Sequence, residues 1–143
     1  MEIREIMTCD VEVVDPNASL QAAARKMKDL DVGSLPVCDG ERLLGMITDR
    51  DITIRATAEG RDPASTAVCD TMSSGITYCF EDQPVHEAAQ LMEEKQIRRL
   101  PILNRQKQLV GIVSLGDLAV DGGNRMVAGE AITQISQPAR PER

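Results

Sequence analysis

Two stretches carry the residue types that could do chemistry: Gly45-Met46-Ile47-Thr48-Asp49-Arg50-Asp51-Ile52 and Gly111-Ile112-Val113-Ser114-Leu115-Gly116-Asp117-Leu118. In each, an apolar strand led by glycine delivers a hydroxyl, and a carboxylate follows three residues later on a first helical turn. A helix cap would account for this, with Thr48 or Ser114 accepting from backbone N–H groups and the aspartate favouring the helix dipole. Its occurrence twice, in the same setting, makes the pattern more specific than a lone cap. Covalent catalysis is not indicated. There is one histidine, His86, which is expected on a helix surface. No nucleophile–base pair stands at a recognisable spacing, and no Gly-rich phosphate loop is present, so an enzyme is the least expected class. The four cysteines, Cys9, Cys38, Cys69 and Cys79, include no C-x-x-C pair. Free, partly buried thiols are expected, with a disulfide or metal as the alternatives, and no metal ligands are assigned.

The elements that must position these residues come in two copies. Ile3-Arg4-Glu5-Ile6-Met7-Thr8 matches Val68-Cys69-Asp70-Thr71-Met72-Ser73, 65 positions on. At the same offset Leu20, Ala23, Ala24, Met27, Leu35 and Pro36 meet Val85, Ala88, Ala89, Met92, Leu100 and Pro101. One residue inserted in a turn brings Gly45 onto Gly111, Thr48 onto Ser114 and Asp51 onto Asp117. Two copies make a tandem pair and not a solenoid. Each reads β-α-β-β-α. In the first, a strand at 11–14 precedes a helix capped by Ser19, whose apolar residues Leu20, Ala23, Ala24, Met27 and Leu30 form one stripe. Strands at 35–38 and 43–48 flank an Asp39-Gly40 turn, and a helix over 49–59 ends at Gly60. The second copy gives a strand at 76–79, a helix at 84–95 with Pro84 in its first turn, strands at 99–103 and 109–114, and a helix from Leu115.

Length and composition narrow the rest. The 143 residues are 42% hydrophobic and 27% charged, enough for a buried core. The aromatics are Tyr78 and Phe80 alone, which leaves no platform for stacking single-stranded nucleic acid. A net charge of -7 argues against phosphate-backbone binding. No apolar run approaches a membrane span, and the first residues lack signal-peptide character, so a cytoplasmic location is expected. A single copy of about 60 residues gives a marginal core, so the two are expected to pack as pseudo-symmetric halves. The layout predicted is repeat 1 at 2–60, a linker at 61–67, repeat 2 at 68–121, and a short helix (126–135) with a mobile tail within 122–143.

The paired motifs, together with Ile6-Met7-Thr8 and Leu35-Pro36-Val37, resemble the CBS-domain family, whose tandem pairs form a Bateman module of α/β (α+β) class. Thr48-Asp49-Arg50-Asp51 and Arg98-Arg99-Leu100-Pro101 look most like small stand-alone bacterial CBS-pair proteins, hypoxic-response types included. The resemblance implies no catalysis and no required cofactor. It implies adenosine-containing ligands (AMP, ADP, ATP, sometimes NAD or S-adenosylmethionine) in clefts between the repeats, a homodimer formed through the helices at 48–59 and 114–120, and a regulated protein partner. Asp51 and Asp117 would then accept from the ribose hydroxyls, with Thr48 and Ser114 beside them. Backbone around Thr8 and Ser73 would meet the adenine edge, and Val13 and Pro36 would wall it. Arg50, Arg98 and Arg99 would address phosphate, but their counterparts are Gly116, Gly33 and Ser34, so the two clefts should bind unequally. The rival reading is a structural dimerisation module with no physiological nucleotide.

Overall fold

Short helices alternate with small sheets through residues 1–120, the part of the chain described by a computed structural model. The helix expected at 126–135 lies outside the described residues. In chain order the elements are α1 (Leu20–Leu30), β1 (Ser34–Asp39), β2 (Arg42–Thr48), α2 (Asp49–Ile52), β3 (Cys79–Phe80), α3 (Val85–Lys95), β4 (Arg99–Leu103), β5 (Leu109–Ser114) and α4 (Leu115–Val120). Single 3₁₀ turns stand at Ile3–Glu5 and Val68–Asp70. The class is α+β.

The chain gathers into two compact units whose borders fall inside the repeats. One joins Met1–Val11 to the chain from Thr77 onward, and the other is Glu12–Ile76. Each unit therefore contains the opening segment of the other repeat. The hydrogen bonds that hold these segments match pair for pair. In the Glu12–Ile76 unit, Val68 N–H donates to the Ala18 carbonyl (2.8 Å), Cys69 N–H to Pro16 (3.0 Å), and Leu20 N–H to Thr66 (2.9 Å). In the other, Ile3 N–H donates to Gln83 (2.9 Å), Arg4 N–H to Glu81 (2.9 Å), and Val85 N–H to Met1 (3.0 Å). Leu20 and Val85 open helices, so these carbonyls satisfy N–H groups that a helix cannot satisfy itself.

The buried residues follow the same division. Val68 is fully buried with Leu20, Ala23, Met27, Leu35, Val37 and Ile47, while Ile3 and Ile6 are buried with Ala88, Ala89, Met92, Leu100, Ile102 and Val113. Of the apolar stripe predicted for α1, Leu20, Ala23 and Met27 are buried while Ala24 and Leu30 are exposed, a narrower face than the spacing implied. Ser19 Oγ accepts from Ala22 N–H at 3.1 Å. Both long helices end on a left-handed residue, Asp31 (φ 55) and Gln96 (φ 53), at equivalent positions. Pro84 stands at the N-cap and not inside the helix, with its counterpart Ser19 supplying the hydroxyl that Pro84 lacks.

Both hairpins form as expected. β1 and β2 pair antiparallel, Ser34 opposite Thr48, and β4 and β5 pair with Arg99 opposite Ser114. A register shift follows Val37 in one and Ile102 in the other, leaving Leu44 and Val110 as the extra residues just before the glycines.

Three further expectations need correction. The strand at 11–14 shrinks to one parallel bridge between Val14 and Val37, because Asp15-Pro16 turns the chain away immediately. The strand at 76–79 is shifted to Cys79–Phe80, parallel to β4 at Ile102 and Leu103. The helix expected over 49–59 is α-helical only to Ile52 and then widens to π geometry over Thr53–Thr57. There Thr53 Oγ1 donates back to the Asp49 carbonyl at 3.0 Å, the kind of side-chain competition that loosens a helical ladder. Gly60 (φ 72) closes the turn that follows.

Candidate functional site

The two hydroxyl–carboxylate motifs form the same local device. Thr48 Oγ1 accepts from Asp51 N–H at 3.0 Å, and Asp51 Oδ2 accepts from Thr48 N–H at 3.0 Å. Ser114 Oγ accepts from Asp117 N–H at 3.2 Å, and Asp117 Oδ2 accepts from Ser114 N–H at 2.9 Å. Each is a reciprocal capping box. The cap therefore exists, and it commits only one oxygen of each carboxylate. Oδ1 takes no part in the cap, and at Asp51 it faces Arg55 Nε at 3.9 Å.

The glycines ahead of the motifs have a steric role. A Cβ on Gly45 would lie 2.5 Å from the Ser73 carbonyl oxygen, and one on Gly111 would lie 2.6 Å from Met7 Sδ and 3.0 Å from the Thr8 carbonyl. Those approaches exist because Ser73 exchanges backbone hydrogen bonds with Met46 (2.9 and 3.0 Å), and Thr8 does so with Ile112 (2.9 and 2.9 Å). Thr8 thus stands in the unit of Ser114 and Asp117, and Ser73 in that of Thr48 and Asp51. Spacing alone could not assign them. Val13 is half-buried, its carbonyl accepting from Lys26 Nζ at 2.6 Å. Pro36 is buried within its unit.

The charged surroundings differ. Beside Asp51 stand Asp49, Arg50 and Arg55. Asp49 turns back on itself, Oδ1 accepting from Arg50 N–H at 2.8 Å, and a Cβ on Gly33 would lie 3.2 Å from its Oδ2. Arg50 is exposed. Arg55 places Nε 3.9 Å from Asp51 Oδ1 and donates through Nη1 to the Thr71 carbonyl at 3.4 Å. Beside Asp117, Leu115 replaces Asp49, and its N–H donates to the Arg98 carbonyl (3.1 Å) as Asp49 N–H donates to Gly33 (2.9 Å). Arg98 and Arg99 are exposed, and no acid among the described residues pairs with either. Sequence reasoning missed Arg55. Its signal was available: it follows Asp51 by four residues on a helix, the spacing at which opposite charges meet.

Other features lie away from these motifs. A groove of about 660 Å³ on the unit containing α3 is lined by Tyr78, Gln83, Glu87, Gln90, Glu93 and Glu94, an acidic surface that would repel phosphate. All four cysteines are free, with Cys38 and Cys79 buried. Burial pushes both thiols up to about 11, helped at Cys79 by the charge of Glu87. Among the described residues no group of three His, Cys, Asp or Glu is placed to hold a metal ion, and no helix is long and apolar enough to cross a membrane.

With that geometry established, the likeness to known proteins is specific. The CBS domain matches at residues 3–56 and again at 68–120. The chain is 46% identical over 134 residues to the CBS domain-containing protein YhcV of Bacillus subtilis, covering 94% of each. It is 40% identical over 117 residues to Hypoxic response protein 1 of Mycobacterium tuberculosis, covering 81% of each. A crystal structure of Hypoxic Response Protein I, with two coordinated zinc ions, superposes with a TM-score of 0.75 at 39% identity, covering 83% of this chain and 97% of that one. The CBS domain pair of protein MJ0100, solved with 5'-methylthioadenosine and S-adenosyl-L-methionine, gives a TM-score of 0.73 at 25% identity, covering 87% and 98%. The chain belongs to the CBS-domain family and carries the domain twice in tandem.

Proposed function

We propose that this chain is a non-catalytic regulatory module that binds adenosine-containing nucleotides (AMP, ADP, ATP or NAD) at its two half-sites and signals by a change of conformation. One observation carries the reading: each capping box uses only Oδ2 of its carboxylate, so that beside a strand-end hydroxyl Oδ1 of Asp117 stays outside the cap and Oδ1 of Asp51 is held only by a loose ion pair with Arg55 at 3.9 Å. That is the acceptor a ribose diol requires. Adenosine ligands in a solved neighbour of similar fold agree with it. Thr48 and Ser114 supply the flanking hydroxyls, backbone near Ser73 and Thr8 faces the adenine, and Arg50, Arg98 and Arg99 address phosphate. CBS pairs are regulatory modules, so binding is read out by a partner protein, and the assembly proposed is a homodimer.

Titration calorimetry with AMP, ADP, ATP, NAD and S-adenosylmethionine tests this. Binding should also raise the melting temperature, by the equivalent of about 2.7 kcal/mol at a hundredfold excess over Kd. No heat and no shift with any of them would leave the second reading, a structural dimerisation module. The observation favouring that reading is that both capping boxes are complete without a ligand.

A further inference from the structure

We propose that Arg55 determines the ligand specificity of the first half-site. Beside Arg50, it is a second cation that an anionic group on an adenosine ligand meets there, while the ribose takes the Asp51 oxygen that Arg55 now attends. This rests on the nucleotide reading above and adds to it a residue that reading does not use.

Asp51 has one oxygen committed to its own backbone cap, and its side chain is 13% exposed. A carboxylate so covered needs a partner for the other oxygen. Arg55 provides it, but loosely: Nε is 3.9 Å away, and the arginine side chain is 54% exposed. Ion pairs of that exposure are held by less than about 1 kcal/mol, so the guanidinium is easily handed over. Its second contact, to the Thr71 carbonyl at 3.4 Å, keeps the arm over the segment that leads to Ser73. A neutral adenosine would take Asp51 Oδ1 and leave the guanidinium without its anion. A phosphorylated one would replace the carboxylate with phosphate oxygens, which a guanidinium binds through a planar fork. In the second repeat the residue four after Asp117 is Asp121, an acid, so the device is not duplicated in the sequence.

The test isolates the first half-site with Asp117→Asn, which keeps an acceptor for the Ser114 cap and removes the second carboxylate charge. Adenosine and AMP are titrated calorimetrically into this variant alone, with Arg55→Gln, and with Arg55→Lys. AMP should bind about tenfold more tightly than adenosine in the background, the scale of one charge-assisted hydrogen bond. Arg55→Gln should reduce that ratio to about twofold, and Arg55→Lys, which keeps the charge, should retain most of it. An unchanged ratio in Arg55→Gln would overturn the role of Arg55 and leave nucleotide binding standing. If the background binds neither ligand, the nucleotide reading of this half-site falls and takes the inference with it. Melting curves of each variant verify that the fold is intact.

Discussion

The two half-sites share a backbone and differ in charge. Strand-end hydroxyl, capped aspartate, crossing segment and helix-opening N–H recur with hydrogen bonds that agree to within a few tenths of an ångström. Around that frame, Asp49 and Gly33 stand where the other repeat has Leu115 and Arg98, and Ser34 stands where it has Arg99. The reason is energetic. A buried backbone group left unpaired costs a kcal/mol or more, about 1–3, so the frame must be kept twice. A charge facing water costs little, so the rims were free to diverge. Fold symmetry therefore does not imply equal ligand preference.

The largest expected effect tests the frame. Ile3 and Val68, equivalent and both fully buried, anchor the exchanged segments. Ile3→Ala should cost about 3 kcal/mol and Val68→Ala about 2 kcal/mol in urea unfolding, the usual range for core truncations. A cost below about 1 kcal/mol at either position would mean that its segment is not needed by the unit that contains it.

The glycines should separate the repeats. In Gly45→Ala the new methyl meets a backbone carbonyl, whereas in Gly111→Ala it first meets the flexible Met7 side chain. About 2 kcal/mol of destabilisation is expected for the first and about 1 kcal/mol for the second. Equal values would show that Met7 cannot move aside.

Substitution of the carboxylates divides cap from ligand. Asp51→Ala removes both roles, so it should lose about 1 kcal/mol of stability as well as ligand affinity. Asp51→Asn keeps an acceptor for Thr48 N–H and should hold stability while weakening an adenosine ligand by about 1–3 kcal/mol. Asp117→Asn should act likewise at the other half-site. Affinity unchanged by both Asn variants would reduce the motif to a cap.

A further effect, seen only at alkaline pH, concerns the buried thiols, one in each repeat. Folding raises Cys38 and Cys79 from 9.0 to about 11, so the neutral thiol favours the folded state. That contribution is fully present below pH 9 and is lost as pH rises toward 11. Thermal melts at pH 8, 9.5 and 11 should show a decline that Cys38→Ala and Cys79→Ala each lessen. At pH 8 a thiol reagent should modify Cys9 and Cys69 first.

Much of this was legible from local pattern. The buried residues Leu20, Ala23 and Met27 of α1, its Ser19 cap, the bounds of β4 and β5, and the Asp39-Gly40 turn follow from spacing and turn chemistry. So does the capped motif, since a hydroxyl and a carboxylate three apart at a strand end form the box from their own residues. The strand at 11–14 failed because β-branched alternation offers a strand that Asp15-Pro16 then denies room to pair. Arg55 was passed over because a half-exposed arginine is ordinary until its partner is found to be nearly buried.

Local pattern carries the two repeats, the long helix and hairpin of each, and the capped hydroxyl and carboxylate that closes it. Which repeat each opening segment serves was set by long-range contacts. Ile3 and Val68 are apolar residues of similar size and could be buried in either core. What places Ile3 against Gln83, and Val68 against Ala18, is a set of hydrogen bonds between groups far apart in sequence. Such pairings depend on closing a long loop around a packed core, and no local periodicity records them. The same holds for Gly45 and Gly111, whose missing side chains have a reason only once Ser73 and Thr8 have crossed above them.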